Sequence, residues 1–213
     1  MLPCPPRLEE LCLSGVPIFQ GPALVPRVPL LRTLQLSGKE RLDVPALAAM
    51  TALQSLRATT PDTFAAVGDA VPALTHLTRL IFCSDVRLGA TASSASGSAA
   101  QSEQLSIVLR QLSALASLRI LVLCGMNSME AQALGGQAAF PSLESLRLQY
   151  CRVLANEGLL EFLGRQSRLA AVGFTDMRFV GTKSALSAFK ASLAWRFSAY
   201  VHVSVDRWHR REP

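Results

Sequence analysis

With 213 residues, half of them hydrophobic and only 17% charged, this chain can bury one sizeable core, which excludes a disordered polymer and sets one domain as the expectation. Its 21 Lys and Arg against 15 Asp and Glu leave a net charge of +6, too mild to define a nucleic-acid-binding protein by itself. The five cysteines, Cys4, Cys12, Cys83, Cys124 and Cys151, have neither paired nor CxxC spacing, so they are expected to be buried or half-buried thiols of a reducing compartment.

In chain order, the opening Met1-Leu-Pro-Cys-Pro-Pro6 has no charged or apolar segment of signal-peptide type. It offers no polar cap either, so the first repeat is expected to be covered by the prolines folding over it, by a partner or by sequence upstream, the last two being favoured equally. The phrase Leu8-Glu-Glu-Leu11-Cys-Leu13 then begins a series. It returns as Leu31-Arg-Thr-Leu34-Gln-Leu36, Leu53-Gln-Ser-Leu56-Arg-Ala58, Leu77-Thr-Arg-Leu80-Ile-Phe82, Leu118-Arg-Ile-Leu121-Val-Leu123, Leu143-Glu-Ser-Leu146-Arg-Leu148 and Leu169-Ala-Ala-Val172-Gly-Phe174. The first leucines are 23, 22, 24, 41, 25 and 26 residues apart. In each copy the last two apolar residues alternate with their neighbours, which places them on one face of a short strand. After the sixth copy Leu154, Leu159, Leu160 and Leu163 follow a helical rhythm, with Glu157, Glu161 and Arg165 on the other side. A strand and helix of this size cannot bury an apolar face alone; stacking the units buries it continuously.

The long spacing holds an insertion at 89–104, reading GATASSASGSAAQSEQ, which lacks aliphatic bulk and is expected to be a disordered surface loop. The helix resumes with Ser106-Ile-Val-Leu-Arg-Gln-Leu112. Near the C-terminus, Leu186, Phe189, Leu193 and Phe197 predict an amphipathic capping helix over 182–198, followed by a candidate eighth strand around Val201 and Val203. Residues 1–177 thus read as about seven repeats, and 178–213 as capping helix, strand and basic tail.

Seven copies in register resemble the leucine-rich repeat family, of a degenerate intracellular type. The resemblance implies an α/β solenoid shaped as a horseshoe, with a parallel concave β-sheet and helices or irregular segments on the convex side. The family's usual asparagine after the strand is here Val16, Lys39, Pro61, Asp85, Met126, Cys151 and Met177, so its asparagine ladder is missing. The sixth repeat, with Cys151 and then Gly158-Leu159, resembles the cysteine-containing subclass of F-box-type ubiquitin-ligase receptors.

Within such a repeat the residues between leucines face the concave side. Arg57, Arg79, Arg119 and Arg147, with Ile81, Ile120, Val122 and Gln149, therefore form the candidate partner-binding residues. Apolar surface bordered by arginine has the composition of a protein–protein contact. The competing reading is that the insertion or a longer chain shields these positions. Tyr150 is the one aromatic candidate beside the sheet, and Glu9, Glu10 and Glu144 share it, so a nucleic-acid-tracking face is not expected. The tail, with Arg207, Trp208, Arg210 and Arg211, is the candidate RNA contact.

Catalytic signatures are missing. No acid or cysteine lies at metal-ligand spacing around His76, His202 or His209, Gly181-Thr-Lys183-Ser184 is not a full phosphate loop, and no nucleophile elbow occurs. No apolar stretch is long enough to span a membrane. The expectation is a non-catalytic scaffold that binds another protein, without cofactor, metal, membrane or small-molecule substrate. It is expected inside the cell, in the cytoplasm or an organelle. Alternatives are a structural subunit of a large assembly, such as an organellar ribonucleoprotein, and a ubiquitin-ligase substrate receptor.

Overall fold

The computed structural model describes residues 7–14, 30–37, 44–59, 61–83, 107–125, 139–154, 157–175, 178–180, 183–196 and 201–203. Each repeated phrase forms a strand of four or five residues: β1 Glu10–Ser14, β2 Thr33–Ser37, β3 Ser55–Ala58, β4 Arg79–Cys83, β5 Ile120–Cys124 and β6 Ser145–Gln149. After a short β7 (Arg152–Leu154) comes β8, Ala171–Thr175; β9 (Arg178–Val180) and β10 (Val201–Val203) follow. Eight strands build one parallel sheet in the order β1-β2-β3-β4-β5-β6-β8-β10. Neighbouring strands follow one another in chain order, with β7 and β9 set aside in a second sheet, so each repeat touches the next one and the sheet grows in a single direction.

The register is set by the repeat itself. Leu11, Leu34, Leu56, Leu80, Leu121, Leu146 and Val172 pair in sequence across seven strands. A slip by one residue would turn every leucine to the solvent side, so the apolar face holds the alignment. Just ahead of the strands the same hydrogen-bond pattern recurs at each junction from β1 to β8. The Glu9 carbonyl accepts from the Arg32 and Thr33 amides at 2.8 and 2.9 Å, and the Arg32 carbonyl from those of Gln54 and Ser55 at the same distances. Gln54, Thr78, Arg119 and Glu144 carbonyls continue it to Ala170 and Ala171. The Thr78 hydroxyl also donates to the Gln54 carbonyl, at 3.1 Å.

The core lies behind the sheet. Six of the seven first-position leucines, Leu31, Leu53, Leu77, Leu118, Leu143 and Leu169, are buried, whereas Leu8, Leu11 and Leu13 of the first repeat are half-buried and pack against the core. Ala58, the one small residue at the third ladder position, pairs in register with Phe82, so the missing bulk of one repeat stands beside the surplus of its neighbour.

The helical side is short-limbed. Helix α1 (Val44–Ala49) buries Ala46 and Leu47, and α2 (Pro61–Ala70) runs into a 3-10 turn at Val71–Ala73. Helix α3, at 107–112, resumes after the insertion, in line with the sequence reading. It packs on α2 at Gly68, where a methyl group would collide with the Gln111 side chain, while Gln111 Nε2 donates to Asp69 Oδ1 at 3.1 Å. Helix α4 (Glu157–Arg165) buries Leu159, Phe162 and Leu163, and carries an exposed Glu161–Arg165 pair. Helix α5 spans Lys183–Arg196, inside the expected 182–198, and its buried Phe189 meets Phe174 edge-on with centroids 5.9 Å apart.

One expectation fails. Leu154 does not belong to the helix of the sixth repeat; it ends β7, which pairs with β9 as a separate two-stranded parallel sheet. The segment Arg152-Val-Leu154 is followed by a new start at Glu157, so strand and helix share the interval that sequence periodicity assigned to a helix alone. The insertion at 89–104 and the tail from residue 204 lie outside the described residues.

Candidate protein-binding face

The register places the sequence-derived candidates on the outward side of four consecutive strands. One row runs Arg57, Ile81, Val122, Arg147, Gly173; the row before it brings Arg79 beside Ile120. Alternation along each strand accounts for this, since Leu56, Leu80, Leu121 and Leu146 take the core side. Arg57, Arg79, Arg119 and Arg147 are exposed, and Ile81 and Ile120 are half-buried. Val122 retains 7% of its surface, so it forms the floor between Ile81 and Arg147. Gly173 lies beside the Arg147 stem, where a methyl group would make an ordinary contact 3.4 Å from Arg147 Cγ.

The arginines divide into two sets that spacing alone does not separate. Arg119 Nε lies 3.2 Å from Glu144 Oε1, and Arg32 Nε lies 3.9 Å from Glu9 Oε2. Arg57, Arg79 and Arg147 have no carboxylate within 4.0 Å among the described side chains. They ring Ile81 and Ile120 from three sides: Arg57 precedes Ile81 in its row, Arg147 follows Val122, and Arg79 pairs with Ile120. With strands about 4.8 Å apart, Arg57 and Arg147 stand roughly 15 Å from each other across the sheet.

A third row crosses the ends of the strands as Cys83, Cys124, Gln149, Thr175. The Cys124 thiol donates to Gln149 Oε1 at 3.3 Å. Its hydrogen bond with Cys83, burial, and the nearby Cys83 and Cys151 sulfurs push its ionisation far above the usual thiol range, against a smaller pull from Arg57. Cys124 therefore stays protonated. Cys151 is buried two residues past the strand end, its sulfur 3.2 Å from the Gln149 carbonyl and 3.4 Å from that of Leu123 in the preceding repeat. That backbone contact is what the family resemblance implies for an asparagine at this position.

Beyond the strand, Gly125 and Tyr150 occupy equivalent positions with φ of 71° and 54°. Glycine adopts this left-handed geometry readily and tyrosine does not. Tyr150 is nonetheless about half exposed there, beside Gln149. Among the described residues no group of three His, Cys, Asp or Glu could hold a metal ion, and no helix is long and apolar enough to cross a membrane.

Sequence reasoning missed the thiol contact of Cys83 and Cys124 and a buried polar tie at Gln166. Both had a signal. The two cysteines fill the same slot of consecutive repeats, on either side of the insertion. Gln166 stands three residues before its ladder residue Leu169, a slot held by Met50, Leu74, Leu115 and Phe140 in other repeats, all buried.

A regular parallel sheet with one leucine ladder per strand and helices behind it defines an α/β leucine-rich repeat solenoid. No protein-family model matches the chain, and no curated protein matches its sequence. Solved structures do. A protein from Bacteroides fragilis superposes with a TM-score of 0.54 at 13% identity, over 96% of this chain and 68% of that one. Human 5T4, also called Wnt-activated inhibitory factor 1 or trophoblast glycoprotein, superposes with a TM-score of 0.52 at 20% identity, over 94% of this chain and 72% of its own. At such identities the likeness is one of fold.

Proposed function

We propose that the chain is a non-catalytic interaction scaffold whose concave sheet binds an acidic segment of another protein around an apolar anchor. The observation behind it is the set of three arginines, Arg57, Arg79 and Arg147, that lack carboxylate partners among the described side chains and surround Ile81 and Ile120. Exposed guanidinium groups can pair bidentately with carboxylates, and a half-buried isoleucine pair can take a leucine or aromatic side chain once water is displaced. Arg119 and Gln149, expected beside them, already hold Glu144 and Cys124 and so shape the rim. Among the described residues Tyr150 is the one exposed aromatic beside the sheet, and no observation there favours RNA.

The test starts from the tagged chain purified from its own cells with and without nuclease, followed by affinity measurement on each recovered protein. Arg79→Glu with Arg147→Glu should weaken a direct protein partner at least tenfold, with unchanged circular dichroism. Arg165→Glu, on the helical side, should leave affinity unchanged. Equal binding by wild type and the double variant would refute the acidic-segment reading. A particle that disperses on nuclease treatment would favour the ribonucleoprotein subunit.

A further inference from the structure

We propose that Cys83 and Cys124 are a modification site, a dithiol that reacts with low-molecular-weight disulfides of the glutathione class and closes into a bond between β4 and β5. The two residues pair directly in the parallel register, both on the outward side of the sheet, and their thiols are in hydrogen-bonding contact. Neighbouring strands about 4.8 Å apart put paired Cα atoms inside the roughly 4.4–6.8 Å window that a disulfide spans. The cysteines are therefore already placed for bonding, although 41 positions separate them in the chain.

The pair is also asymmetric in the way a dithiol exchange needs. Cys83 is half-exposed and open to a small reagent, while Cys124 keeps 8% of its surface. Because Cys83 is the accessible thiol of the two, it is the sulfur that meets the external disulfide and attacks it as the thiolate. It attacks one sulfur of the external disulfide; that S–S bond breaks, and the departing thiolate takes a proton from water. With Cys83 capped, its hydrogen bond and charge no longer hold the proton on Cys124, so Cys124 gives its proton to solvent and attacks the Cys83 sulfur of the mixed disulfide. The second small thiol leaves as the Cys83–Cys124 bond forms. Two protein thiols are oxidised by two electrons and one external disulfide is reduced to two thiols.

Closure alters the face beside it. Cys124 no longer has a hydrogen for Gln149 Oε1, so that amide oxygen becomes an acceptor open to a partner or water. It also joins the two strands that bracket the insertion, which ties the fourth repeat to the fifth covalently. The site rests on sheet register and holds whether or not the arginines bind an acidic segment.

Full-length protein is incubated natively with oxidised glutathione, quenched in acid, alkylated and mapped by peptide mass spectrometry. The expected result is loss of two alkylatable thiols and a cross-linked peptide pair containing Cys83 and Cys124. In Cys124→Ser the expected product is a lasting glutathione adduct on Cys83. In Cys83→Ser neither the adduct nor the cross-link should form at Cys124. Both variants are checked by circular dichroism, and the wild-type map decides the matter by itself. Cys83 or Cys124 crossing to Cys12 or Cys151, or both thiols remaining alkylatable until denaturant is added, would overturn the proposal.

Discussion

Gln166 shows how one residue can act against its column. Equivalent positions in other repeats hold Met50, Leu74, Leu115 and Phe140, each buried, and Gln166 is buried too, at 5% exposure. Its Oε1 accepts from the Phe140 amide at 2.8 Å, and its Nε2 donates to the Phe162 carbonyl at 2.9 Å. The side chain thus joins two consecutive repeats. Replacing Gln166 by Leu restores the hydrophobic pattern but strands the Phe140 amide, so a loss of about 1–3 kcal/mol is expected in urea denaturation. An unchanged or raised midpoint would show that the amide finds another partner. Tyr150 teaches a similar lesson about backbone geometry. Its φ of 54° is the geometry its counterpart Gly125 adopts freely, and nothing in the letters around Tyr150 marks it.

At the scale of the element, the strands were readable and the segments between them less so. Alternation of apolar and polar residues identifies each concave strand because a half-buried strand needs period two. The pair β7 and β9 escaped because a three-residue strand has too few positions to show that period, and its pairing is a contact between repeats. Packing between elements also explains departures from the leucine phrase. Ala58 and Phe82 pair in register, so Phe82 stands next to a site that has no bulk to move into a gap. Phe82→Ala is therefore expected to cost about 3–5 kcal/mol, at the high end for the core, as measured by the shift in denaturation midpoint. Leu→Ala replacement at Leu36, two strands away, should fall in the ordinary range of about 2–5 kcal/mol. A smaller loss for Phe82 than for Leu36 would contradict the compensating role.

Across the whole molecule the solenoid is close to one-dimensional, since each repeat touches its neighbours and stability sums along the stack. Interior ladder leucines are fully buried, whereas Leu8, Leu11 and Leu13 of β1 are half-buried. Hydrogen exchange should accordingly be slowest at the amides of Leu56, Leu80 and Leu121 and faster in β1, with opening proceeding inward from that edge. Uniform protection from β1 to β6 would mean that the stack opens all at once. The arginine face follows a different logic. Arg57, Arg79 and Arg147 are exposed and have no carboxylate within 4.0 Å among the described side chains, so their proposed role is expected in affinity and its salt dependence more than in stability.

The sequence alone determined the solenoid. A short apolar phrase repeated every 22 to 26 residues, with one insertion, can bury its leucines only by stacking, and the register follows because any slip would expose them. It also placed the arginines and isoleucines on the outward side, because alternation is local. Tertiary structure alone decided which of those groups are already engaged. Whether Arg119 reaches Glu144, whether Cys83 touches Cys124, and whether Gln166 finds the Phe140 amide depends on side chains of different repeats meeting across strands. Such meetings join residues more than 20 positions apart, and no local periodicity records them.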